Sequence, residues 1–216
     1  RDLPAVYAEL ARRLPNALAK KFDATVFGTS APGSNFDTLG AATAVGISPH
    51  ASDAKKSTYA GLVDAYNKVA DAGGALDGWA LSSQAKGLLL NQVDATGRPL
   101  LFSSIQDGTA INQILGESVH YTQGVYKTGT PATIGFAGDW DSAVYGTVEG
   151  IKVSVSNEAS ITDGVKTLSV GAETVDIPNM LNLWQRNMFA ILVEVEIGFR
   201  VRDAARFVKL TNAARS

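Results

Sequence analysis

Residues 3–26 carry apolar side chains at steps of three or four, which predicts an amphipathic helix. Pro15 lies within this segment and removes one backbone hydrogen bond, so we expect a kink near the middle. Because steps of four overshoot a helical turn, the apolar line winds around the axis and needs different partners along its length. The line consists of Leu3, Val6, Leu10, Leu14, Leu18, Phe22 and Val26.

Residues 28–56 are rich in glycine and proline and are predicted to form a loop. Ser57 or Thr58 would cap a second helix that ends at the glycine pair 73–74. Residues 79–81 predict a short buried strand, followed by a third helix capped by Ser82 or Ser83 and a turn over 94–99. The apolar faces expected for the two helices are Tyr59, Leu62, Val63, Tyr66 and Val69, and then Leu88, Leu89 and Val93.

After Gly116 the apolar period changes to two, which predicts strands near residues 119–121, 134–136 and 151–155. Residues 165–170 suggest one arm of a hairpin, and residues 179–186 a short helix that buries Leu181 and Trp184. The strongest alternation in the chain follows and predicts a twelve-residue strand with Ile191, Val193, Val195, Ile197, Phe199 and Val201 on one face. A bend at 203–205 and a strand at 207–210, which would pair back on this long strand, complete the sequence of predicted elements. Helices early and antiparallel strands late indicate an α+β fold.

Composition narrows the class of protein. Of the 216 residues 45% are hydrophobic and 19% charged, which is typical of a folded soluble protein, and no run reaches the ~20 apolar residues of a membrane helix. The net charge of -2 argues against a protein whose main task is to grip nucleic acid. The chain has no cysteine, which excludes disulfides, zinc–thiolate sites and thiol nucleophiles from it and fits assembly in a cytoplasm. Charges spread over residues 1–22 do not predict a signal peptide, and the initial Arg1 suggests a processed or truncated product.

The sequence contains no group of residues typical of a catalytic, cofactor-binding or metal-binding site. His50 and His120 are the only histidines, and neither has a further ligand at metal-binding spacing, so we predict no catalytic, cofactor-binding or metal-binding residue. The G-x-S-x-G elbow and the glycine-rich phosphate loops do not occur. The glycines of segment 135–138 are expected to mark tight packing or a bulge.

Charged residues admit a chemical and a structural interpretation. Asp139 and Asp141 could hold a hard cation, but a turn between strands uses aspartate as readily. Glu194 and Glu196 could serve a glycosidase, but the arginines at 200 and 202 favour salt bridges within or between subunits. The basic residues of the first helix predict a solvated face or a subunit contact rather than a DNA site; they are Arg12, Arg13, Lys20 and Lys21.

The order of these segments resembles a tailed-bacteriophage major capsid protein of the Hong Kong 97 type. Segment 20–28 (KKFDATVFG) is similar to the end of that family's spine helix, and segment 94–99 (DATGRP) to its D-x-x-G-R turn. Segment 114–119 (ILGESV) resembles its L-G-x-P-V strand entry, with Ser118 in place of proline. Segment 202–210 (RDAARFVKL) resembles its R-D-P-x-A-F-V-K-L ending, with Ala204 in place of proline. Segments 78–82, 138–140, 151–155 and 183–188 follow in the family's order.

The resemblance implies a shell subunit and not an enzyme: a long spine helix, a long terminal strand and a mixed α/β axial domain. It implies a peripheral domain from residues 1–56 and 181–216 and an axial domain from 57–180, with the amino-terminal arm and E-loop preceding Arg1. It further implies assembly through hexamers and pentamers into an icosahedral head in the host cytoplasm. Scaffold, portal and head-maturation protease would assist, packaged DNA would be contacted only weakly, and no membrane or cofactor is expected. Asn187 and Glu194 fall where some members form isopeptide cross-links, but a structural role is expected here.

Three alternatives stay open at this stage. An encapsulin, a cellular compartment, has the same fold and would enclose a cargo enzyme instead of DNA. A carbohydrate or host-surface binding module would use Trp140 and Tyr145. A hydrolase would use Asp139, Asp141 or Glu194.

Overall fold

The computed structural model describes residues 3–48, 57–92, 112–170 and 173–214. The predicted α+β class is confirmed. The helices are α1 (Leu3–Val26), α2 (Thr58–Asp71) and α3 (Ser83–Leu90), with short 3₁₀ turns at Gln123–Val125, Trp140–Ser142, Trp184–Arg186 and Ala204–Arg206. The strands are β1 (Thr43–Ser48), β2 (Gly78–Leu81), β3 (Gln113–Ile114), β4 (Glu117–Tyr121), β5 (Thr133–Gly138), β6 (Ala143–Ser156), β7 (Ser160–Val170), β8 (Glu173–Asn182), β9 (Ala190–Val201) and β10 (Phe207–Ala214).

The helix α1 runs without a break through Pro15, in the segment where the apolar spacing predicts it. Burial increases along its apolar line, since Leu14 and Leu18 are partly buried and Val26 is almost completely so. Its last turn is fixed by two side chains that follow β4 in the chain. The Thr122 hydroxyl donates to Asp23 Oδ2 at 2.6 Å, and Lys127 Nζ donates to the Ala24 carbonyl at 3.1 Å. Among the described residues, no helix is both long and apolar enough to cross a membrane.

A six-stranded mixed sheet organises the first compact unit, which comprises residues 1–146 and 198–216. Its strand order is β1-β10-β5-β2-β4-β3, with β1 parallel to β10, β2 parallel to β4 and the other pairs antiparallel. Apolar side chains cover both faces of the sheet. One face packs against α2 and α3 and the other against an aromatic cluster; the two sets include Val45, Leu62, Val69, Trp79, Leu89 and Leu210, and then Phe27, Phe36, Phe136, Phe199 and Phe207.

Glycines in β5 allow close approach of the neighbouring strands, as the sequence predicts. A Cβ on Gly135 would lie 2.5 Å from Leu81 Cδ2, and one on Gly138 would lie 2.4 Å from Phe207 Cδ1. A methyl group at position 135 would have to displace the Leu81 side chain, and one at position 138 would meet both Phe207 and the Arg206 carbonyl, 2.8 Å away, so these two glycines leave room for tight packing at the centre of the sheet.

The second compact unit comprises residues 147–197 and is made of long strands. β7 and β8 form an antiparallel hairpin, and β6 pairs with β9 in a separate two-stranded sheet. The predicted hairpin arm at 165–170 and the long strand are both confirmed. β9 has the predicted alternation, with half-buried odd positions and exposed even positions over most of its length.

Four local predictions need correction. Residues 43–48, expected within a loop, form β1, because Val45 and Ile47 insert into the core beside β10. The helix expected at 179–186 is instead the end of β8 and a 3₁₀ turn, in which Leu183 is buried and Trp184 is 68% exposed. In α2 the side chains of Tyr59 and Tyr66 are exposed; the buried face consists of smaller residues, Thr58, Gly61, Leu62, Ala65 and Val69.

The fourth correction concerns residues 207–210, which do not pair back on β9. They begin β10, which lies between β1 and β5 in the central sheet. The predicted domain segments 1–56, 57–180 and 181–216 stay a prediction; the two compact units comprise residues 1–146 with 198–216, and residues 147–197. The predicted turn at 94–99, Val93 and His50 lie outside the described residues. Strands 43–48 and 207–214 join only through long-range pairing, which local periodicity does not encode.

Candidate functional site

A cleft of about 550 Å³ opens beside the turn that follows β5. Asp77 is one of the residues that line it. The Asp77 carboxylate accepts hydrogen bonds from the backbone N–H groups of Trp140 at 2.9 Å and Asp141 at 3.0 Å. The indole Nε1 of Trp140 donates to the Gly78 carbonyl at 2.9 Å. Asp77 therefore acts as the cap of a 3₁₀ turn, a function that the sequence analysis missed; its position one residue before a buried strand was the available signal.

The two aspartates that flank Trp140 lie in different surroundings. Asp139 is buried and pairs with Arg206, with 3.0 Å between Oδ2 and Nη1, whereas Asp141 is exposed. The structure thus places them at a turn, and it does not bring the two carboxylates together as an acid–base pair. Trp140 packs edge-on against Phe27 and Phe207, with ring centroids 6.2 and 5.2 Å away, so its indole serves the core rather than an open sugar platform.

His120 lies on β4 at the rim of the same cleft and is exposed. Two carboxylates of the cleft, Asp23 and Asp77, are already engaged by the Thr122 hydroxyl and by backbone N–H groups. Across residues 3–48, 57–92, 112–170 and 173–214, no three His, Cys, Asp or Glu side chains converge closely enough to hold a metal ion.

An S-x-x-K spacing, which the sequence analysis passed over, occurs at Ser83 and Lys86 in α3. Lys86 Nζ lies 5.4 Å from the ring centroid of Tyr121, a cation–π contact between α3 and β4. Burial raises the pKa of Tyr121 above its ordinary value of 10.0. The lysine is therefore engaged in packing. A second match, at residues 52–55, lies outside the described residues.

The acidic face of β9 lines a shallow groove of the second unit. Glu194 and Glu196 lie there beside Glu149 and Lys152, and the last two side chains form an ion pair. Of the two arginines predicted to pair with this face, Arg200 pairs with Asp37 at 3.5 Å within the first unit, and Arg202 forms no ion pair among the described residues. Salt bridges between subunits stay a prediction. Within the described part of the chain, Glu194 and Glu196 form no ion pair, so this patch is acidic.

Asn187 closes the 3₁₀ turn before β9 in the left-handed region, with φ 52° and ψ 43°. Asparagine tolerates this backbone conformation better than most residues, which is a sufficient structural reason for its presence. Whether Asn187 and Glu194 also cross-link stays a prediction.

The basic face of α1 is partly neutralised within the helix. Glu9 accepts hydrogen bonds from both Arg12, at 2.9 and 3.0 Å, and Arg13. These two guanidinium groups hold the pKa of Glu9 below its ordinary value of 4.5, and the same carboxylate raises the pKa of Arg12. Lys20 and Lys21 are exposed near the end of the helix. Such a face is suited to water or to another subunit.

Exposed aliphatic side chains are concentrated in the long strands of the second unit. β6 exposes its valines and an isoleucine, and the hairpin of β7 and β8 exposes apolar residues on both faces, such as Leu168 on one and Val165 on the other. A concentration of exposed apolar side chains is typical of surfaces that contact other proteins. The best candidate for function is therefore a set of assembly surfaces; the exposed residues include Val148, Ile151, Val153, Val155, Ile161, Leu168, Val175 and Ile177.

Comparison with known proteins gives a consistent result. The family model described as "Phage capsid family" matches residues 1–212. The "Probable major capsid protein gp17" of Mycobacterium phage L5 is 30% identical over 97% of this chain and 63% of its own length. The protein with the same description in Mycobacterium phage D29 is 33% identical over 55% of this chain and 35% of its own length. The chain therefore spans less than two thirds of either relative.

A solved structure from Gordonia phage Cozz has the same fold. It superposes with a TM-score of 0.70 at 23% sequence identity, and the match covers 99% of this chain and 66% of the other. The matched part of this chain includes residues of both compact units, and the match shows a shared fold.

Proposed function

Because the chain belongs to the phage capsid family, we propose that it is the shell-building part of a major capsid protein. Copies of the full-length protein assemble through hexamers and pentamers into an icosahedral head that encloses double-stranded DNA. The family match over residues 1–212 is the observation that carries this proposal. The phage relatives support it over the cellular compartment, the binding module and the hydrolase.

The distribution of apolar surface supports the proposal. The first unit covers both faces of its sheet, whereas the second unit leaves long strands with aliphatic side chains in water. Identical subunits in closed symmetry use each contact many times, so modest surfaces add up to a stable container. A subunit of this kind needs flat, extended contact surfaces more than it needs a deep pocket.

The surroundings of the candidate carboxylates agree with a structural, non-catalytic role. Asp77 and Asp139 are held by backbone N–H groups and by Arg206, and the carboxylates of β9 lie on an open strand. Catalytic acids need a partner and a site that excludes water. We infer that these carboxylates serve folding and assembly.

The predicted domain names are proposed with changed boundaries. The sheet-bearing part of the first unit would form the axial domain that gathers around fivefold and sixfold axes. The strands of residues 147–197 would belong to the peripheral domain. Scaffold, portal and maturation protease would be the assembly partners, the host cytoplasm the place of assembly, and the virion the final location.

Electron microscopy of the full-length protein, coexpressed with its phage assembly partners, tests the proposal. Closed icosahedral particles of uniform diameter are expected, and particles isolated from infected cells should contain DNA. Persistent monomers under coexpression would contradict the shell function. Particles that contain a packaged enzyme and no DNA would instead support the compartment alternative.

A further inference from the structure

The strand β7 contains an aspartate followed by a glycine at an irregular point of its pairing with β8. The register shifts between Thr162 and Val165, so that Asp163 and Gly164 form a bulge between two regularly paired stretches. Gly164 adopts a φ of 72°, which glycine accepts without strain. Both residues of the bulge are exposed to water.

The space around the peptide bond between Asp163 and Gly164 is open. An aspartate can cyclise when the main-chain nitrogen of the next residue reaches its side-chain carboxyl carbon, and a glycine in that position carries no side chain to obstruct the approach. A Cβ added to Gly164 would find no atom of the described residues within 4 Å. The surroundings of Gly164 therefore leave room for such a ring to close.

Asn179 lies on β8 across from the bulge and contacts the peptide group that would react. Its Nδ2 donates to the main-chain carbonyl oxygen of Asp163 at 3.2 Å. The Gly164 nitrogen becomes a good nucleophile when it loses its proton, and the negative charge of the resulting amidate lies largely on that same carbonyl oxygen. Because a hydrogen bond to the charged form of a group stabilises that form, Asn179 favours the reactive state of the peptide group.

We propose that Asp163 is a site of spontaneous isoaspartate formation, assisted by Asn179; this proposal does not depend on the proposed function. The Gly164 nitrogen gives its proton to solvent and forms a bond to Cγ of the protonated Asp163 carboxyl group, from which one oxygen leaves as water. Water then adds to the main-chain carbonyl carbon of the five-membered ring, the bond from this carbon to the Gly164 nitrogen breaks, and the nitrogen regains a proton. The product has an unchanged mass, and its main chain runs through Cβ, so β7 is one atom longer between its two paired stretches.

A second aspartate–glycine pair lies in surroundings that oppose the same reaction. The Asp77 carboxylate is held by the N–H groups of Trp140 and Asp141, and Gly78 is buried in β2 between β4 and β5. A Cβ on Gly78 would lie 3.0 Å from Trp140 Cδ1. Cyclisation there requires local opening of the first unit, so Asp77 is a matched control within the chain. A third pair, at 107–108, lies outside the described residues.

Peptide mapping of the full-length protein after prolonged incubation at mildly acidic pH tests the proposal. Trypsin releases residues 153–166 with Asp163 and residues 69–86 with Asp77. Chromatography and electron-transfer fragmentation distinguish isoaspartate from aspartate at equal mass. In the folded protein we expect isoaspartate to form at least about tenfold faster at position 163 than at position 77. The absence of isoaspartate at 163, or equal rates at the two positions, would overturn the proposal.

The same measurement in concentrated urea separates the effect of the folded structure from that of the local sequence. Without the fold, the two aspartate–glycine pairs should react at rates within about threefold of each other. A tenfold difference that persists in urea would assign the reactivity of Asp163 to its sequence neighbours and would contradict the inference from the bulge.

A substitution tests the assistance by Asn179. Asn179→Ala removes the donor to the Asp163 carbonyl and should slow the reaction in the folded protein by about fivefold, with no effect in urea. Asn157→Ala, which removes an exposed amide between β6 and β7, is the control and should leave the rate unchanged. An equal or faster reaction in Asn179→Ala would show that the hydrogen bond does not promote ring closure.

Discussion

Arg206 and Asp139 form an ion pair, with 3.0 Å between Nη1 and Oδ2, that joins the residue before β10 to the residue after β5. The backbone N–H of Asp139 donates to the Arg206 carbonyl at 3.2 Å, so the two residues are linked through main chain and side chain. The stem of Arg206 lies against Gly74, just past α2, where a Cβ would be 3.1 Å from Arg206 Cγ. One arginine therefore connects the start of β10 to the end of β5 and to the residues that follow α2.

Replacement of Arg206 by Gln is expected to lower the free energy of unfolding by about 2–3 kcal/mol, because it leaves the buried Asp139 carboxylate without its counter-charge. Urea unfolding followed by tryptophan fluorescence measures the change. Arg200→Gln is the control, since Arg200 is exposed in its pair with Asp37 and should cost less than about 1 kcal/mol. If both variants lose the same free energy of unfolding, burial of the Arg206–Asp139 pair does not make it more stabilising than the exposed pair, and the prediction is wrong.

Replacement of Gly138 by Ala is expected to destabilise the first unit by about 1–3 kcal/mol, because the new methyl group would collide with Phe207 and with the Arg206 carbonyl, 2.8 Å away. The matched control is Gly146→Ala, where nothing lies within 4 Å of the added atom and a change within about 0.5 kcal/mol is expected. Thermal unfolding by circular dichroism compares the two. If Gly138→Ala unfolds at the same temperature as the unsubstituted protein, β10 can shift to accommodate the methyl group without loss of stability, and the prediction is wrong.

Replacement of Asp77 by Ala removes the acceptor for two backbone N–H groups and should cost about 0.5–2 kcal/mol. Asp77→Asn keeps one oxygen and should lose less. Asp71→Ala, at the exposed end of α2, controls for the loss of an acidic residue and should be neutral. Hydrogen exchange at the amides of residues 140 and 141 is the most direct readout, and unchanged protection in Asp77→Ala would refute the capping role.

The pKa of Glu9 is lowered by Arg12 and Arg13, so the folded protein retains this carboxylate in its charged form more strongly than the unfolded chain does. The contribution of Glu9 to the stability of α1 is therefore present above its ordinary pKa of 4.5, and it is lost as the pH falls through the pKa of Glu9 in the folded protein. NMR titration of the side-chain carboxyl carbon should show a midpoint below 4.5. Arg12→Gln should move that midpoint upward, and a midpoint that stays in place would show that Arg12 does not contribute.

Local pattern was sufficient where a segment's own periodicity determined its structure. The spacing from Leu3 to Val26 predicted α1, and the alternation from Ile191 to Val201 predicted β9 within about one residue at each end. Ser57 and Ser82 are both helix caps, as expected, and accept from Ala60 N and Ala85 N. In these segments the side chains themselves define which face is buried.

The local sequence pattern gave wrong predictions where packing against a distant segment determines the structure. Gly46 interrupts the apolar run of β1, yet the segment is a strand because β10 lies close alongside it, and a Cβ there would be 2.7 Å from the Ala213 carbonyl. Tyr59 and Tyr66 have the spacing of a buried face, but α2 packs through Gly61 and Ala65, which permit a closer approach to the sheet. For the candidate site, the sequence located Asp139 and Glu194, but Asp77 and Arg206 reach the turn from 63 and 67 residues away along the chain, a pairing that local pattern does not encode.

The adjacency of β1 and β10 has a consequence for synthesis on the ribosome. The register pairs Thr43 with Val208 and Val45 with Leu210, so about 165 residues must be translated before β1 meets its neighbour. Contacts so distant along the chain form late and slowly. A nascent chain in which residue 214 has not yet emerged from the ribosome cannot complete the central sheet, so the first unit cannot finish folding while the strand β10 is still inside the exit tunnel.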